Sequence, residues 1–130
     1  MRRYTVAVML AAALLIGGAF AGQKKEGPRI QKAVVQFTEP VKLLNVTLKG
    51  EYVFAHDEDK MAAGEPCSYI YTRENGQQGK LVVSFHCQPI PREPSDQFTI
   101  TITPGPNLNL PELVEYRFAG STEGHRVPKA

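Results

Sequence analysis

Short β-type runs, each cut off by proline, glycine or asparagine, constrain this chain more than any other feature. They fall at 33–38, 42–48, 51–56, 68–73, 80–87, 97–103 and 112–119. Two of them alternate strictly. Phe98, Ile100 and Ile102 interleave with Thr99, Thr101 and Thr103, and Val114, Tyr116 and Phe118 interleave with Glu115 and Arg117. A period of two places one face of a strand on a core and the other in water. No segment carries a sustained 3.6-residue period, and 57–64 has room for only a turn or two of helix, with Asp57 as its cap and Gly64 as its end. The expected fold is all-β, a small antiparallel sandwich or barrel of about seven strands, the pattern alone not choosing between the two. Pro89, Pro91 and Pro94 lack an N–H, so 88–94 reads as an extended crossover outside any ladder. Pro104-Gly105-Pro106-Asn107 is a turn cluster of the same kind.

The two cysteines flank a hairpin. Pairing its arms symmetrically about Gln77 sets Glu74 against Lys80, Tyr71 against Val83, Tyr69 against Phe85 and Cys67 against Cys87. That register predicts a Cys67–Cys87 disulfide stapling the hairpin, on an odd-numbered face turned to the core. His86 then points away from Cys87.

The chain begins with Arg2 and Arg3, an apolar run from Val6 to Phe20, and the small-x-small pattern Ala19-Phe20-Ala21. This reads as a secretory signal over 1–21, cleaved before Gly22, and the run is short for a membrane span. The expected location is therefore the bacterial periplasm or cell exterior, with no membrane span after cleavage. A flexible leader is expected at 22–32, the β domain at 33–119 and a flexible tail at 120–130. Cleavage takes Arg2 and Arg3 from the 15 basic residues, leaving 13 against 13 acidic ones. A neutral mature chain with no stripe of Lys and Arg among aromatics argues against nucleic acid as a partner.

One loop departs from the surroundings: His56-Asp57-Glu58-Asp59-Lys60-Met61-Ala62-Ala63-Gly64-Glu65-Pro66-Cys67. Its plain reading is a solvated acidic turn. A second reading uses His56 and Met61 as nitrogen and sulfur ligands for copper or zinc. A third, calcium on Asp57, Asp59 and Glu65, lacks the spacing of a calcium loop. If there is a specific binding site, His56, Asp57 and Glu65 are its expected residues. Nucleophile-elbow, Cys-x-x-Cys and His-Glu-x-x-His signatures are absent, so no catalytic residue is assigned. His125 reads as a tail residue.

The segments Gly50-Glu51-Tyr52-Val53-Phe54, His56-Asp57, Met61-Ala62, Gly64-Glu65, Cys67 and Val82-Val83-Ser84-Phe85-His86-Cys87, with Phe118 to His125, resemble a set of small exported bacterial β-domain proteins of uncharacterised function. The resemblance implies a shared secreted β fold and no catalytic residue. The expected role is a binding or structural module with an envelope partner or small ligand, or alternatively a small copper- or zinc-binding protein.

Overall fold

The computed structural model describes residues 29–105 and 110–129. The expected signal at 1–21, most of the expected leader and part of the turn cluster lie outside the described residues. Among these, eight strands and one short helix follow in order: β1 (Ile30–Leu43), β2 (Val46–Asp57), α1 (Glu58–Ala62), β3 (Ser68–Glu74), β4 (Gln77–Phe85), β5 (Gln88–Pro91), β6 (Thr99–Thr103), β7 (Glu112–Arg117) and β8 (Glu123–Arg126). All strands belong to one sheet in the order β4-β3-β2-β1-β7-β8-β5, with β6 also on β7. The sheet curls into half a barrel instead of splitting into two stacked layers.

The sheet has two antiparallel halves. β1 to β4 make one and β5 to β8 the other. Between them, β1 and β7 run parallel and share one registered pair, Lys42 with Glu112. The Lys42 N–H also donates to the Pro111 carbonyl at 2.8 Å. So narrow a backbone joint leaves the packing of the halves to side chains. Phe54 of β2 sits edge-on to Tyr116 of β7 and to Phe98, with ring centroids 5.5 and 5.7 Å away. Such edge-to-face pairs contribute about 0.5–1.5 kcal/mol each beyond the area they bury.

Several local expectations change on the fold. The run at 42–48 is a tight hairpin turn at Leu44-Asn45, since Leu43 pairs with Val46. Across the cysteine hairpin, Asn75 and Gly76 have φ of 53° and 76°. They form the tight two-residue turn that Asn-Gly favours, because its twist matches that of the flanking strands. Glu74 therefore pairs with Gln77, and two bulges in β4 then bring Ile70 opposite Val83 and Ser68 opposite Phe85. The first bulge is held by the Thr72 hydroxyl, which accepts from the Lys80 N–H at 3.0 Å. The symmetric register about Gln77 is corrected, and the inward face of β3 is the even one, Ser68 and Ile70. A bulge between Thr101 and Ile102 likewise turns Ile102 to solvent while Ile100 packs on the core.

The chain ends differ too. β1 begins at Ile30, inside the expected leader, and β8 forms within the expected tail. Segment 88–91 does join a ladder, pairing with β8 as a sheet edge, where proline is tolerated because one side needs no donors. Beyond it, Arg92 reaches back to β7, donating from Nε and Nη2 to the two Glu115 oxygens at 2.7 Å each. This fork holds the Glu115 carboxyl below its usual range. A Cβ on Gly124 would run into that carboxylate. Arg92→Ala should destabilise the fold, since it takes both hydrogen bonds from a nearly buried carboxylate and leaves only the longer-range pull of Arg117 and Arg126. Urea unfolding at pH 7 reads this loss. The deficit should shrink as acid protonates Glu115, because a lowered carboxyl stabilises the fold only while ionised.

Candidate metal centre

His56 lies at the end of β2 on the inward series Leu48, Tyr52, Phe54 and His56. Its partner across the ladder is Ser68 of β3, which places Cys67 beside it. The Cys67 N–H donates to the Phe85 carbonyl at 3.1 Å, bringing the end of β4 alongside. Cys87 follows two residues later, and its N–H lies 3.4 Å from the Cys67 sulfur. From the other half of the sheet comes His125 of β8, opposite Tyr116 of β7. The four side chains meet inside the curl with relative exposures of 0% for His56, 1% for His125, 2% for Cys67 and 8% for Cys87.

One ligand atom from each of His56, Cys67 and Cys87 lies within 4.8 Å of the other two. His125 Nδ1 stands 3.6 Å from the Cys87 sulfur. The two imidazoles stack, centroids 3.9 Å apart and planes 26° apart. Beside them, the Ser68 and Tyr116 hydroxyls hydrogen-bond across the same gap. Neither nitrogen of His56 has a hydrogen-bond partner, nor does Nε2 of His125. The nearest carboxylate, Glu58 Oε2, stops 3.6 Å from His56 Nδ1. A buried polar atom left unpaired costs about 1–3 kcal/mol, so this pocket carries a strain that a ligand would relieve.

Burial dominates the electrostatics. It holds the His56 pKa below its ordinary value against the pull of Glu58 and Asp57. It pushes His125 down to about 3, with His56 adding to the effect and Glu115 opposing it. The Cys87 thiol is pushed up to about 12, first by burial and then by its hydrogen bond with Cys67. Near neutral pH the pocket therefore holds neutral imidazoles and a protonated Cys87 thiol.

The expected disulfide is corrected. The sulfurs are 2.8 Å apart, longer than the covalent S–S length of about 2.05 Å, so no disulfide stands at bonding distance. With the strand register set by the Asn75-Gly76 turn, Cys67 falls outside the paired residues of β3 and β4. His56 keeps its place as a candidate ligand, but its company changes. Met61 packs against the core cluster from α1, while His56 faces the cysteines. The other loop residues are engaged as a helix turn requires. Asp57 caps α1, accepting from the Lys60 N–H at 3.1 Å. Asp59 pairs with Arg29, and Glu65 lies 3.5 Å from the Lys60 ammonium. Gly64 ends the turn at φ 79°. The solvated-turn reading of the loop fits these contacts, and His86 is exposed as expected.

His125 is the residue that sequence reasoning missed. Its one signal was the alternation Glu123, His125, Val127 around exposed Arg126, too short to stand out in a glycine-rich end. The chain matches no family model, no curated protein and no solved structure. Among the described residues no helix is long and apolar enough to cross a membrane.

Proposed function

We propose that this chain is an exported bacterial β domain that binds one soft transition-metal ion, copper or zinc, through His56, Cys67 and Cys87. One observation carries the reading: three donors of the right chemistry converge within 4.8 Å in a buried pocket, and both nitrogens of its histidine lack partners. Thiolate and imidazole together are the donor set of zinc and copper sites, whereas calcium and magnesium take oxygen ligands. The binding module expected from the sequence thus acquires a ligand class, and its site moves from the α1 loop to the interior of the curl. No catalytic step is assigned.

Metal analysis of protein secreted to the periplasm and purified without chelator tests this reading. The expected result is close to one zinc or copper per chain, on a polypeptide whose mass begins at Gly22. Metal-free protein that also fails to take up either ion under reducing conditions overturns it.

A further inference from the structure

We propose that His125 is the fourth ligand of this centre, and that the completed set of two cysteines and two histidines takes Zn2+ and clamps the two halves of the sheet together. The inference rests on the metal-binding reading above and adds a residue, an ion and a consequence to it.

The first argument is geometric. With Zn–S near 2.3 Å and Zn–N near 2.0–2.1 Å, a tetrahedral site sets its S···N edges at about 3.6 Å. His125 Nδ1 is 3.6 Å from the Cys87 sulfur. The same tetrahedron needs its two sulfurs about 3.8 Å apart, and they stand at 2.8 Å. His125 stands outside the three donors that lie mutually within 4.8 Å, and its ring stacks on His56. Loading the ion therefore moves the sulfurs apart by about an ångström and swings the two imidazoles out of their stack to aim a nitrogen each at the metal. Two sulfurs with two imidazole nitrogens in a tetrahedron is a zinc arrangement.

Charge balance points the same way. Binding releases a proton from each thiol, so two thiolates cancel the charge of Zn2+ and two neutral imidazoles add none. Cu+ on the same two thiolates leaves one negative charge in a buried pocket. The charged groups that act on the two imidazoles are Glu58, Asp57 and Glu115, all carboxylates, so nothing among them would offset that charge. A buried unpaired charge is strongly unfavourable, and a divalent ion avoids it.

The third argument is topological. His56, Cys67 and Cys87 belong to the β1–β4 half or its exit, and His125 belongs to β8 beyond the single-pair joint between β1 and β7. An ion held by all four ties the halves directly where the backbone ties them least.

Three measurements on the reduced, full exported chain test the proposal. As purified, the metal should be zinc, and copper in its place overturns the ion assignment. X-ray absorption at the zinc edge of the wild type should show two sulfur and two nitrogen neighbours. A shell of two sulfurs and one nitrogen completed by oxygen overturns the role of His125, and needs no variant that might misfold. In a Co2+ titration the wild type should give the intense visible bands of a tetrahedral thiolate site, and His125→Ala should bind on the order of 100-fold more weakly with an altered spectrum. If His125→Ala matches the wild type in both, His125 is not a ligand and the three-donor reading stands alone. If the wild type binds neither Zn2+ nor Co2+, this inference falls, and the three-donor reading falls with it when Cu+ is refused as well.

Discussion

With either cysteine replaced by serine, binding at the proposed metal centre should collapse. Structural zinc sites with four donors bind with about 10–16 kcal/mol at neutral pH. Removing one donor of four then forfeits roughly a quarter of that, on the order of 100-fold or more in affinity. Cys67 and Cys87 should behave alike, because their sulfurs touch and each is buried. Stability should follow the metal. An ion at 1,000 times its dissociation constant stabilises the native state by about 4 kcal/mol, so Zn2+ should raise the unfolding midpoint of the wild type. At the same concentration a site about 100-fold weaker leaves Cys67→Ser and Cys87→Ser a gain of only about 1.4 kcal/mol or less. The metal-free proteins provide the control, since serine in place of a buried thiol is a small change of volume. Should the serine variants gain as much from Zn2+ as the wild type, the ion binds elsewhere. Thiol counting on the unfolded wild type, kept non-reducing, should return two thiols after chelation. A return of none means that the cysteines are bridged and cannot be ligands.

The sequence carries the elements more clearly than it carries their partners. Period-two alternation and breaker residues located most of the strands, and Asp57 and Gly64 bounded α1 because capping is a local interaction. The register of the cysteine hairpin went wrong where two local signals competed. A loop centred on Gln77 paired the cysteines neatly, yet Asn75-Gly76 is the stronger turn and pulled the strands into another alignment. β5 and β8 escaped notice for a different reason. Each has four residues, one with two prolines and one with a glycine, and both depend on distant partners, β5 on β8 and β8 on β5 and β7.

The site shows the same division. His56, Cys67 and Cys87 stand out individually as residues that bind metals. Local spacing assigned His56 to Met61 and the cysteines to each other. What brings the three together is the pairing of His56 with Ser68 across β2 and β3, a contact between segments twelve residues apart that no motif encodes. His125 required one further step, the β7–β8 ladder that sets it behind Tyr116.

The metal-free protein should lose stability steeply as pH falls below about 6.5. Both imidazoles are buried without the partners that would favour their charged forms. His125 is held at about 3 in the folded state against an ordinary value of 6.5, and His56 is shifted in the same direction. The unfolded chain therefore binds protons that the folded chain refuses. A lowered histidine leaves stability whole above its unfolded pKa and removes it as pH falls toward the folded one. Within that window each refused proton costs about 1.4 kcal/mol per pH unit, and His125 alone accounts for on the order of 4 kcal/mol by pH 3. The groups facing the pair decide whether this survives. Glu58 and Asp57 from the α1 side and Glu115 from β7 pull both pKa values upward, but burial outweighs them, and the neighbouring Cys87 and Tyr116 stay protonated throughout the range. The measurement is the urea midpoint of chelated protein between pH 7.5 and 5, above the range where most carboxylates titrate. His125→Asn should flatten the slope by about one proton, that is about 1.4 kcal/mol per unit. An unchanged slope in that variant would mean that His125 is protonated inside the fold, and that the pocket is wetter than its closed walls imply.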